Sequence, residues 1–133
     1  MGGSRGSSDG APGVFRPPRV VEKPWGRELW WAETEAYLGK VLEVRAGHCL
    51  SLQYHREKLE TLFFSGGRGR LTLGGAEHDI RPGMSVTIPP GVRHRISAET
   101  DLTILEVSTA HPDDVVRVED AYGREGGREA DRG

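Results

Sequence analysis

The chain has a single cysteine, Cys49, among its 133 residues, so no disulfide can form within it. No uninterrupted apolar run approaches the roughly 20 residues of a membrane-spanning helix, and the N-terminal stretch lacks the apolar segment of a secretory leader. These absences point to a soluble cytoplasmic protein with no membrane partner. A strong charge of one sign is also missing. Eighteen Lys and Arg stand against 20 Asp and Glu, a formal charge of −2, and no basic stripe runs along any segment. That balance argues against nucleic acid as a partner. Cys49 sits in the alternating run Cys-Leu-Ser-Leu-Gln-Tyr with no basic neighbour, which reads as a buried, inert thiol. Finally, no segment carries a sustained apolar stripe of helical period.

Glycine and proline, by contrast, are frequent and regularly placed. They cut the middle of the chain into short segments rich in β-formers. Strands are expected over Tyr37–Arg45, Cys49–His55, Glu60–Ser65, Arg70–Leu73, Ala76–Ile80, Ser85–Ile88, Arg93–Ser97 and Leu102–Ser108. Gly74-Gly75 separates two of them by a two-residue hairpin turn. Upstream, Leu29-Trp30-Trp31 reads as a short edge strand, and three tryptophans within seven residues suggest core packing, a lid over one barrel end, or an interface. The ends differ in composition. Residues 1–19 are rich in Gly, Ser, Pro and Arg, and 123–133 are charged and Gly-rich, so both are expected to be disordered tails. One domain is therefore expected over 20–122, an all-β barrel or sandwich of many short strands with a C-terminal arm.

The chemistry-bearing residues follow a fixed spacing. Gly47 is followed after five residues by Gln53-Tyr54-His55, then after four by Glu60 and after six by Gly67. Fifteen residues later comes Gly83, five more lead to Pro89-Pro90-Gly91, and His94 stands two beyond. Alternation along a strand points Gln53 and His55 the same way, and a barrel lets Glu60 and His94 converge on them from other strands. Two imidazoles, a carboxylate and a carboxamide oxygen suit one divalent ion, zinc first, with Mn, Fe, Ni or Co as alternatives. The remaining histidines, His48, His78 and His111, fall in expected turns or loops and read as exposed polar residues.

This spacing resembles the two-part cupin signature, with Gln53 in place of its first histidine and Ala98 in place of its terminal asparagine. The resemblance implies a small jelly-roll (double-stranded β-helix) barrel. More narrowly, the chain looks like a stand-alone version of the C-terminal cupin of type II phosphomannose isomerases. That likeness rests on Lys23-Pro24-Trp25-Gly26, Lys40-Val41-Leu42, Ser51-Leu52-Gln53-Tyr54-His55, Ile88-Pro89-Pro90-Gly91 with His94-Arg95, Leu105-Glu106-Val107, and Val116 through Arg124. It departs around Glu60, where the family has an Arg two residues before and His-Trp after; here stand Lys58 and Thr61-Leu62. The family is implied to interconvert mannose 6-phosphate and fructose 6-phosphate.

An aldose–ketose isomerase needs a Lewis acid near O1 and O2, a proton carrier between C1 and C2, and cations for the phosphate. Glu106 and Lys40 are the candidate proton carriers. Lys58, Arg95 and Arg117 are the candidate substrate-binding residues, with Lys40 a further phosphate partner. The expected partner is a small molecule, a sugar phosphate, and a homodimer stands as an open alternative to a monomer. Two other readings fit the same metal ligands: another metal-cupin enzyme, such as an oxygenase or one rearranging a small metabolite, and a cupin that binds a sugar or metabolite without turnover.

Overall fold

Short alternating segments between Gly and Pro breaks fold into eleven antiparallel strands. A computed structural model describes residues 13 and 15–125. The strands are β1 (Arg19–Lys23), β2 (Gly26–Glu33), β3 (Tyr37–Val44), β4 (Leu52–Tyr54), β5 (Glu60–Gly66), β6 (Gly69–Leu73), β7 (Ala76–Ile80), β8 (Ser85–Ile88), β9 (His94–Ala98), β10 (Leu102–Thr109) and β11 (Val116–Glu119). They form a six-stranded sheet ordered β1-β2-β3-β10-β5-β8 and a five-stranded sheet ordered β11-β4-β9-β6-β7. There is no helix among the described residues. The chain is thus all-β, as expected, and its two sheets make one jelly-roll barrel.

The expected strands occur with small shifts, and the exceptions have physical reasons. Only Leu52–Tyr54 of the run from Cys49 to His55 is strand; Cys49 makes an isolated bridge to Ser97, because the chain turns a barrel corner between the two. Leu29-Trp30-Trp31 is not an edge strand. It lies inside β2, which β1 covers along its outer side from Arg19↔Trp30 to Lys23↔Gly26. The Arg19 guanidinium ties that covering strand down through two bonds to Glu33, at 3.0 and 3.1 Å. The tryptophans divide between core and surface. Trp25 and Trp30 are buried, whereas Trp31 is half-exposed and lies over Gly39. The expected tails, 1–19 and 123–133, fall mostly outside the described residues; at their inner ends Arg19 belongs to β1 and Arg124 pairs with Asp120.

Between the sheets, inward side chains from alternate positions form one apolar core, including Leu42, Leu62, Ile88, Ile96, Leu102 and Ile104. Gly67, at the end of β5, shows why the punctuation is glycine. Its φ is +92°, and a Cβ there would lie 2.0 Å from the carbonyl oxygen of Asp101. Gly67→Ala is expected to cost about 1–3 kcal/mol of stability, read as a lower urea midpoint with an unchanged slope.

Candidate metal centre

At one end of the barrel the apolar core gives way to a layer of buried charge. His55, Glu60 and His94 are all buried, and one ligand atom from each lies within 4.8 Å of the others. Three different stretches deliver them. His55 follows β4, Glu60 opens β5, and His94 opens β9 after the Pro89-Pro90-Gly91 turn. That turn is tied back to the site, since the Gly91 N–H donates to the His55 carbonyl at 2.7 Å.

The two imidazoles are oriented by main-chain acceptors. His55 Nδ1 lies 2.5 Å from the Asp114 carbonyl, and His94 Nδ1 lies 2.9 Å from the Val92 carbonyl. A carbonyl can only accept, so each Nδ1 carries a hydrogen and each Nε2 is left to face the site. Both Nε2 atoms face the same oxygen, Glu60 Oε2, at 3.3 and 3.2 Å. His94 Nε2 is buried there without a hydrogen-bond partner. Two imidazole nitrogens and a carboxylate oxygen converging on one buried point are a donor set that a cation satisfies. The donor set therefore fits a divalent metal ion.

Electrostatics keep Glu60 ready for that role. Burial works against its charge, but the Lys58 ammonium, 3.4 Å away, and the two histidines hold its carboxyl well below the usual carboxylate range. Gln53 lines the same cavity and lies in register opposite His94; its Oε1 accepts from the Ser51 hydroxyl at 2.6 Å.

From Glu60 a string of alternating charges crosses the inner face of the six-stranded sheet. Lys58 Nζ sits 3.4 Å from Glu60 and 3.1 Å from Glu106. Glu106 on β10 is the register partner of Lys40 on β3. Lys40 is 3.6 Å from Glu28 Oε1, and Lys23 is 3.7 Å from Glu28 Oε2. Trp30 also donates to that Oε1, at 2.8 Å, and Lys40 lies over the Trp30 ring. The string lines a cavity of about 720 Å³, its open mouth included. Lys58→Met would strand two buried carboxylates without their shared cation. It is expected to cost about 3–5 kcal/mol, measurable by denaturant titration at neutral pH.

Each expected site residue thus lines this one cavity, though not on equal terms. Glu106, Lys40, Lys58 and Arg117 are buried in it. Arg95 is at the rim and engaged elsewhere: its guanidinium donates to the Leu50 and Glu119 carbonyls at 3.2 and 3.1 Å. The C-terminal segment does not dock outside the barrel. Val116–Glu119 adds as β11 beside β4, with Arg117 opposite Gln53. His78 lies in β7 rather than in a turn, and His48 bonds the Tyr122 hydroxyl at 2.7 Å.

Three residues that matter here were not among those expected at the site. Asp114 receives the backbone N–H groups of Arg56, Glu57 and Lys58 at 2.7–2.9 Å, fixing the loop that carries Lys58 between His55 and Glu60. Lys23 and Glu28 enter the cavity because β1 and β2 wrap the barrel. The alternation Glu28–Trp30 is visible in the sequence, but which face turns inward is not.

A two-sheet barrel with a His–Glu–His set at one end defines a small jelly roll whose buried triad could hold a metal ion. The Cupin domain family model matches residues 40–111, more than half of the chain, and the protein belongs to the cupin family. It is 34% identical over 111 residues to mannose-1-phosphate guanylyltransferase ManC of Salmonella typhimurium, covering 80% of this chain and 23% of that one. The xanthan biosynthesis protein XanB of Xanthomonas campestris is 32% identical over 111 residues, covering 80% and 24%. The chain thus spans about a quarter of the length of the curated relatives it matches. Among solved structures, the capsular polysaccharide assembling protein CapF of Staphylococcus aureus superposes with a TM-score of 0.69 at 18% identity, over 79% of this chain and 35% of that one. The expected resemblance to the cupins, and to the C-terminal cupin of type II phosphomannose isomerases, is borne out.

Proposed function

We propose that this cupin is a metal-dependent aldose–ketose isomerase acting on a sugar phosphate of the mannose 6-phosphate type. The observation that carries the reading is the placement of Glu106. It is a buried carboxylate facing the metal ligands across Lys58, inside a cavity whose lining holds more cations than acids. Relatives named for mannose 1-phosphate and for xanthan biosynthesis support a sugar context.

His55, Glu60 and His94 would hold the ion, with Gln53 turning from Ser51 to supply a fourth donor. Zinc, or alternatively Mn, Fe, Ni or Co, suits this set. A bound divalent ion supplies Lewis acidity toward a sugar carbonyl or hydroxyl. With one carboxylate and three neutral donors, the centre keeps a net charge of about +1. The chain's own groups do the proton work. Isomerisation moves one proton from C2 to C1 and a second from O2 to O1, with no net redox change. Glu106 takes the carbon-bound proton and returns it to the neighbouring carbon. Lys58, 3.1 Å from Glu106 and 3.4 Å from Glu60, holds both carboxylates in place, and Lys40 stands beside Glu106 across the β3–β10 ladder.

The direct test is incubation of metal-loaded protein with mannose 6-phosphate in D2O, followed by NMR. Solvent deuterium entering the sugar at C1 or C2, together with fructose 6-phosphate, is expected. Binding without exchange would favour a cupin that holds a sugar without turnover. Oxygen uptake with an iron-loaded sample would favour an oxygenase.

A further inference from the structure

An antiparallel sheet with one side on a core ordinarily turns polar residues outward, and the outer face of the five-stranded sheet does so. Arg70 pairs there with Glu77 and Asp79 at 2.7 and 3.7 Å, and Arg95 with Glu119 at 3.7 Å. The six-stranded sheet breaks the rule. Val20, Leu29, Val41, Leu105 and Phe63 stand in one register row across β1, β2, β3, β10 and β5, on the side away from the core. Trp31, Tyr37 and Val107 widen the row. Six of these eight side chains, all but Leu29 and Val41, are 38–55% exposed. Trp31 does not stand up from the sheet: a Cβ on Gly39 would lie 2.7 Å from its ring, so the indole lies across the glycine and leaves the face level. Charge enters this face at its margin, where Glu22, Arg27 and Glu43 share a row and Arg27 bonds Glu43 at 2.6 Å.

We propose that this face binds a second copy of the chain, giving a two-fold dimer in which the six-stranded sheets pack outer face to outer face. An exposed apolar patch of this kind marks an interaction surface, and three observations favour a copy as its occupant. The residues outside the described ones, 1–12, 14 and 126–133, hold only Met1 and Val14 as large apolar side chains, too few to cover eight. The centre of the face is uncharged, so nothing there repels an identical face, and a two-fold contact needs only that the patch fit itself. The extent also suits. Six strands about 4.8 Å apart span roughly 25 Å, and the eight-residue strands β2, β3 and β10 run about as far. The face thus approaches the roughly 800 Å² that each partner gives to a standard interface, with the apolar centre and polar rim such interfaces have. The contact would back the candidate site, because Lys40 precedes Val41 on β3 and Glu106 stands between Leu105 and Val107 on β10, both lining the cavity from the other side of the sheet.

Sedimentation equilibrium of the full chain, from about 1 to about 100 μM, reads the state directly. A species of twice the 14.6 kDa chain mass is expected. Leu105→Glu sets a like charge from each copy into the centre of the contact, and two-fold symmetry counts the change twice. The dissociation constant is expected to rise at least about 100-fold. Leu105→Thr keeps a strand former on the outer face and removes part of the apolar surface; it is expected to fold as the wild type does and to weaken the dimer about tenfold. Thr72→Glu lies on the five-stranded sheet, in register with Arg95, and is expected to leave the dimer intact. Far-UV circular dichroism and the thermal midpoint establish that each variant is folded, and Leu105→Thr decides the matter if Leu105→Glu is not. A wild type that stays monomeric at the highest concentration overturns the proposal and gives the face to a different protein. A wild-type dissociation constant in either folded Leu105 variant, or a dimer broken by Thr72→Glu alone, overturns it as well.

Discussion

His55→Ala is expected to lose its bound metal while keeping its fold. The purified wild type should carry about one divalent ion per chain by elemental analysis, and the variant close to none. Removing even an outer-shell partner of a metal site typically costs 10–100-fold in affinity; removing one of three converging donors costs more. The fold survives for a separate reason. The apolar core contains none of the three ligands, and His55 lies just outside β4, so its replacement removes no ladder pairing. The variant does lose the His55–Asp114 bond, so a modest drop in thermal midpoint is expected, about that of one buried hydrogen bond, 1–2 kcal/mol. Unchanged metal content in a folded variant would remove His55 from the site.

The second large effect is on turnover. Glu106→Gln keeps the size of the side chain and removes its capacity to accept a proton. It is expected to lower kcat by about 10²–10⁴-fold, with metal content unchanged and with mannose 6-phosphate still bound. KM should move little, because Glu106 is assigned to the reacting carbons and not to the phosphate. Lys40→Met serves as the comparison: Lys40 stands beside Glu106 and is also a candidate partner of the phosphate, so its loss should raise KM and lower kcat together. A Glu106→Gln protein with full turnover would move the proton-carrying role to another residue.

The convergence of Gln53, His55, Glu60 and His94 on one cavity was legible in the sequence because each depends on local rules. Period-two alternation puts Gln53 and His55 on one side, a short connection returns Glu60 beside them, and Pro89-Pro90-Gly91 fixes the entry of His94. The wrapping of the barrel was less legible. Nothing local distinguishes β1 and β11 from linkers, yet these strands bring Lys23 and Arg117 into the cavity. Arg95 shows the converse. It lines the cavity as a substrate-binding candidate, but its bonds to the Leu50 and Glu119 carbonyls depend on distant stretches of chain. Asp114 was equally hidden, since its role depends on three N–H groups more than fifty residues earlier in the chain.

Glu106, beside the His55–Glu60–His94 centre, is proposed to isomerise a sugar phosphate. The most direct measurement is ³¹P and ¹³C NMR of [2-¹³C]mannose 6-phosphate with the purified protein. The label is expected to move into the C2 carbonyl of fructose 6-phosphate, to stop moving when the metal is chelated, and to resume when a divalent ion is restored. An unchanged spectrum from a protein shown to be folded and fully metal-loaded would contradict the claim.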